Sequence, residues 1–163
     1  MAHGDPASDL PAACLALGAT FHAVGPSGER TIPATDMFLG FLETALAPDE
    51  VLTSISVPKV GGAGWSFQKF NRRAQDWAIV GVVAVANGRT GVGLVNMGPT
   101  PLRAVAVEQA LEAGAPPADA AARAAEGTDP PADLNASPDY RAHLARVLVQ
   151  RALEEAGRGP RQG

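Results

Sequence analysis

Residues 79–97 read IVGVVAVANGRTGVGLVNM. The run from Ile79 to Ala86 is nearly all apolar, rich in β-branched valine, and short enough for a strand. Asn87-Gly88 follows, a pair that suits a tight hairpin whose central positions need positive φ. Thr90 to Met97 is then the return strand, and Gly98-Pro99-Thr100-Pro101 breaks the sheet. Just upstream, Trp65 to Phe70 supplies a third strand. Three antiparallel strands expose a face that helices must cover. Three candidate helices follow: Ala104 to Ala113, Pro117 to Glu126, and Pro138 to about Ala156. Gly114 and Gly127 stop the first two. Ser137 caps the third, and Pro138 suits its first position. Leu144, Val147, Leu148 and Ala152 form its apolar stripe, and Arg141, Arg146, Gln150 and Glu154 are expected to lie towards water.

Upstream, Ser8 or Asp9 can cap a short helix that tolerates Pro11 and ends at Gly18. Ala19 to Val24 and Glu29 to Pro33 read as strands joined by a turn at Gly25-Pro26-Ser27-Gly28. Thr35-Asp36 can cap a helical turn over Met37, Phe38 and Leu39. Ala47-Pro48-Asp49-Glu50 is a turn before the strand Val51 to Val57, where Val51, Thr53, Ile55 and Val57 share one mainly apolar face. Gly61-Gly62-Ala63-Gly64 is the clearest linker. The reading is an α+β chain in two units, residues 1–58 and 63–157, with a flexible tail over 158–163.

The 163 residues suffice for a substantial core, and 46% apolar with 18% charged residues is a globular composition. A net charge of −4 argues against a nucleic-acid groove. Cys14 is the one cysteine, so there is no disulfide framework, and its apolar neighbours mark it as a buried hydrophobe. No apolar stretch is long enough to span a bilayer, and no export signal is visible at Met1, so the cytoplasm is the expected compartment.

No nucleophile motif, phosphate loop or zinc spacing appears. His22 falls in a strand and His143 on a helix, where structural roles are the simpler reading. His3 stands beside Asp5 and Asp9. The segment Lys69-Phe70-Asn71-Arg72-Arg73-Ala74-Gln75-Asp76-Trp77 joins two strands. Its arginines can sit over an anionic or aromatic ligand. The plainer alternative is an exposed loop in which Arg72 or Arg73 pairs with Asp76.

Five stretches occur in order: AHGDPASDLP, TIPATDMFLGFLETALAPDEVLTSISVP, FQKFNRRAQDWAIVGVVA, NMGPTPLRA and YRAHLARVLVQRALEEA. Together they resemble the FAD-binding medium subunit of molybdenum hydroxylases, the group that includes aerobic carbon monoxide dehydrogenase and xanthine dehydrogenase. The resemblance implies that residues 1–58 are the last part of a flavin-binding domain. Residues 63–157 would be the C-terminal domain, a three-stranded sheet with helices on one face. It implies a flavin contact for Asp9, which also suits a helix cap, with His3 and Asp5 beside it. It implies that Leu52 packs near the flavin and that Lys69, or Gln68 next to it, touches the ring. Arg72, Arg73 and Asp76 would belong to the loop near the isoalloxazine, with Trp77 packed beneath.

The same resemblance implies FAD as cofactor, and a large molybdenum-cofactor subunit and a small iron–sulfur subunit as partners. The activity implied is relay of electrons from iron–sulfur clusters through FAD to an external acceptor. It also implies that glycine-rich pyrophosphate loops precede AHGDPASDLP, so the expectation is a chain that lacks about a hundred residues, by a late start or a true truncation. The competing expectations are a non-enzymatic docking module and a truncated product that does not bind FAD.

Overall fold

The structure, a computed structural model, describes residues 1–159. The first half contains α1 (Asp9–Leu17), β1 (Thr20–Gly25), β2 (Gly28–Pro33), α2 (Ala34–Met37), β3 (Phe38–Gly40), β4 (Glu43–Thr44) and β5 (Val51–Ser56). The second half contains β6 (Gly64–Phe70), β7 (Val80–Asn87), β8 (Arg89–Val95), β9 (Leu102–Arg103), α3 (Val105–Glu112), α4 (Pro117–Ala122) and α5 (Pro138–Ala156). The α+β class holds.

The second sheet is antiparallel in the order β6-β7-β8-β9. Its three long strands are the expected ones, and the two residues of β9 extend the edge beyond β8. The register pairs Ala86 with Thr90 and Asn87 with Arg89, so the hairpin turns on Gly88 alone, at φ 69°. Along β7 and β8, Val82, Ala84, Val92 and Leu94 face the helices α3, α4 and α5. Ser137 accepts a hydrogen bond from the Tyr140 N–H at 3.2 Å and starts α5 as expected. α4 is shorter than expected, because the chain leaves the helix at Arg123.

Helices were expected on one face of this sheet, yet α1 covers the other. Val83, Val85 and Val95 alternate with the first set and pack on Ala12 and Ala16. β7 and β8 are therefore buried on both faces, which explains why the β7 run is almost unbroken in its hydrophobicity. The approach is close: a Cβ on Gly91 would lie 2.0 Å from the Ala16 carbonyl oxygen, and one on Gly93 2.1 Å from that of Ala12.

In the first half the sheet order is β2-β1-β5, packed over Phe21, Met37, Cys14 and Leu15. Burying Phe21 or Met37 contributes on the order of 2–3 kcal/mol each. The simple alternation expected for β5 fails. His22 pairs with Ser54 but Ala23 pairs with Leu52, so Thr53 is a bulge. Leu52 consequently faces inward together with Ile55, and Val51 is exposed; Val57, past the end of β5, is exposed too. The helical turn expected over Met37–Leu39 lies earlier, at Ala34–Met37, and Phe38 and Leu39 are in β3. Arg141 is a further correction: it is fully buried rather than facing water. At the C-terminus, Arg158 and Gly159 still donate to the Glu155 and Ala156 carbonyls. The rest of the expected tail, 160–163, lies outside the described residues.

Candidate functional site

The segment before α1 is built from turns. Gly4, at φ 62°, donates to the Met1 carbonyl, and Asp5 Oδ1 accepts from the Ala7 N–H at 2.9 Å. The Asn96 N–H donates to the Pro6 carbonyl at 2.8 Å, which ties the segment to the end of β8. Ser8 stands at the N-cap without a side-chain capping bond. Asp9, in the first turn, instead turns its carboxylate across the seam between the halves. Lys69 Nζ on β6 donates to Asp9 Oδ2 at 2.8 Å. Asp9 Oδ1 is buried and has no hydrogen-bond partner. A buried acceptor left unpaired costs about 1–3 kcal/mol, so a ligand donor here would relieve an existing penalty.

Beyond Lys69 the chain forms the 71–77 loop. The Asn71 side-chain amide and the Asp76 N–H both donate to the Arg73 carbonyl, and the Ile79 N–H donates back to the Phe70 carbonyl at 2.8 Å. Two adjoining cavities flank the loop. The smaller, about 360 Å³, lies among Ser8, Asp9, Lys69, Gln75 and Asp76. The larger, about 720 Å³, lies among Arg72, Arg73, Asn96, Asn135 and Arg141. Ala7, Asp76 and Trp77 line both. On its other side Asp9 also borders an apolar groove of about 310 Å³, with Leu10, Ala13, Trp65 and Phe67.

The structure thus unites Asp9, Lys69 and Asp76 in one cavity and Arg72, Arg73 and Asp76 in the next. Gln68 is engaged elsewhere, donating to Glu155 at 2.7 Å. Trp77 is 64% exposed, so it forms a wall of the cleft rather than packing beneath the loop. His3 is exposed, Asp5 serves its turn, and Leu52 remains with the core of the first sheet. No ion pair joins Asp76 to Arg72 or Arg73 among the described residues. Arg72 instead donates to Asn135 Oδ1 at 3.3 Å. Cys14 is buried, and burial raises its thiol pKa, in keeping with a packing role.

Residue-level reading of the sequence missed Arg141, Asp133 and Asn135. Arg141 donates to the Ile79 carbonyl and, at 2.6 Å, to Asp133 Oδ2. Burial works to raise the Asp133 pKa, but the Asn135 and Ala136 N–H groups and the Arg141 charge together hold it below the usual carboxylate value. A signal was present. Position 141 lies three and seven residues before Leu144 and Leu148, on the buried stripe of α5.

Fold and site together define a two-part α+β unit with cavities along the seam between its halves. The chain belongs to the family of the CO dehydrogenase flavoprotein C-terminal domain, which matches residues 65–156. Residues 1–60 match the FAD binding domain in molybdopterin dehydrogenase. The chain is 37% identical over 167 residues to the carbon monoxide dehydrogenase medium chain of Hydrogenophaga pseudoflava, covering 96% of this chain and 58% of that protein. It is 32% identical to the nicotine 6-hydroxylase medium subunit of Paenarthrobacter nicotinovorans, covering 96% of this chain and 59% of that protein. A solved carbon monoxide dehydrogenase structure from Hydrogenophaga pseudoflava superposes with a TM-score of 0.88 at 38% identity, over 96% of this chain and 58% of that one. The chain therefore spans rather less than two thirds of the length of these relatives.

Proposed function

We propose that the chain is part of the FAD-carrying medium subunit of a molybdenum hydroxylase, with residues 1–58 from the flavin domain and 63–157 as the C-terminal domain. The observation that carries this is the Asp9–Lys69 pair. It joins the two matched regions across the seam and leaves Asp9 Oδ1 buried without a donor. That donor set fits a flavin. Asp9 would accept from a ribityl or ribose hydroxyl, Lys69 would lie against the ring, and Asp76 and Trp77 would border it. When bound, the flavin would pass electrons from the iron–sulfur clusters of a small subunit to an external acceptor, while substrate is oxidised on a large molybdenum subunit. The chain's own residues orient the ring and exclude water from one side of it. Cytoplasmic location belongs to this proposal; among the described residues no helix is long and apolar enough to cross a membrane.

The phosphate-cradling glycine loops that the resemblance implies are not found within residues 1–163, so the isolated chain is expected to hold FAD weakly. Titration of the purified chain with FAD, followed by flavin fluorescence, tests both parts. Weak saturable binding is expected, and Asp9→Ala should weaken it about 10-fold or more, the loss of one hydrogen bond to a charged group. Stoichiometric yellow protein after purification overturns the expected weak retention. Binding unchanged in Asp9→Ala overturns the site.

A second reading, a docking module without flavin, is favoured by the apolar groove beside α1, where Leu10 is 62% and Trp65 47% exposed. Co-purification with large and small subunits in the absence of flavin supports that reading.

A further inference from the structure

The first sheet ends in two edge strands, β2 and β5, each paired only with β1 among the described residues. The two edges are unlike. β2 carries Glu29 and Arg30 and closes on Pro33, features that blunt an edge. β5 has no such protection: from Val51 to Val57 there is no charge, proline or glycine. An unpaired strand of this composition is a template for another strand. Leu52 and Ile55 reach the core of the first half but stay only half-buried, and Val51 is 65% exposed.

The bulge decides which strand fits. Thr53 is set aside, its hydroxyl donating to the His22 carbonyl at 3.1 Å. The other side chains then run Val51 out, Leu52 in, Ser54 out, Ile55 in and Ser56 out. That order reads the same in both directions about Ser54. An antiparallel copy of β5 therefore matches it face for face. Leu52 meets Ile55 of the second copy, Ile55 meets its Leu52, and the two Ser54 residues stand opposite each other. Charge fits as well. Asp49 precedes the strand and Lys59 follows it, both exposed. Antiparallel pairing brings acid beside base at both ends, whereas parallel pairing would set like beside like.

We infer that a second copy of this chain covers this edge, with β5 pairing antiparallel to β5 about a twofold axis at Ser54. The half-buried Leu52 and Ile55 of each copy then cover one another, and the two sheets become one. An isologous contact of this kind occupies both β5 edges and closes at the dimer. The inference goes beyond the flavin reading and does not rest on it.

Sedimentation equilibrium of the flavin-free full chain over a wide concentration range tests it. The mass should rise from 16.6 kDa towards twice that value and no further. Ser54→Lys places two lysines against each other at the axis and should raise the dissociation constant about 10-fold or more. Thr31→Lys, an exposed change on β2, is the control and should associate as the parent does. Asp49→Lys should weaken the dimer, and adding Lys59→Asp should restore it, a rescue that a folding defect would not give. A monomer at every concentration overturns the inference and leaves the edge to a strand of a different polypeptide. Mass growing past the dimer, association unchanged in Ser54→Lys, loss of association in Thr31→Lys, or no rescue by the charge swap overturns it as well.

Discussion

Glu50 shows how one residue fixes a turn. Arg30 donates to both of its carboxylate oxygens, at 2.6 and 2.7 Å, and the Ala47 N–H adds a third bond. The Arg30 hydrogen bonds, then the backbone bond, lower its pKa from 4.5 to about 2. A depressed carboxyl stabilises the fold above its ordinary pKa and loses that effect as pH falls through the folded value. The thermal midpoint should therefore drop between pH 4.5 and about 2. Glu50→Gln should lie below the parent above that window and converge with it at the acid end, as a pH series of thermal melts would reveal. The turn at 47–50 was legible from Ala-Pro-Asp-Glu, but its partner was not, because Arg30 arrives from a strand twenty residues earlier. Arg141 was misread for a related reason. Its polarity suggested water, whereas its position on the stripe, with a carbonyl and a carboxylate at hand, put it inside.

At the scale of elements, strands were legible where one face repeats, and less so where geometry breaks the repeat. The bulge at Thr53 turns Leu52 rather than Val51 towards the core, and no local residue announces it. The placement of α1 was also hidden. Its small residues, Ala12 and Ala16, and the glycines of β8 become meaningful only when brought together. Gly93→Ala should force helix and strand apart and destabilise the chain by about 2–3 kcal/mol in urea denaturation. Gly61→Ala, where a Cβ meets nothing within 4 Å, should be nearly neutral. Equal stability of the two variants would show that α1 does not approach β8 as described.

For the whole molecule, α1 serves both cores. Cys14 and Leu15 face the first cluster, and Ala12 and Ala16 face the sheet of the second half. The two units read from the glycine linker are thus tied by a shared helix, and they should unfold together. Loss of Cys14 protection towards a thiol reagent should coincide with the change in tryptophan emission, since Trp65 and Trp77 both lie in the second half. Separate midpoints would show that the seam is weak. The seam also carries the contact between Asp9 and Lys69, one charge from each side. Occupancy and rigidity there are thermodynamically coupled: a guest that bridges the two charges must stiffen the joint, and anything that stiffens the joint, even far from the guest, must tighten its hold by an equal factor.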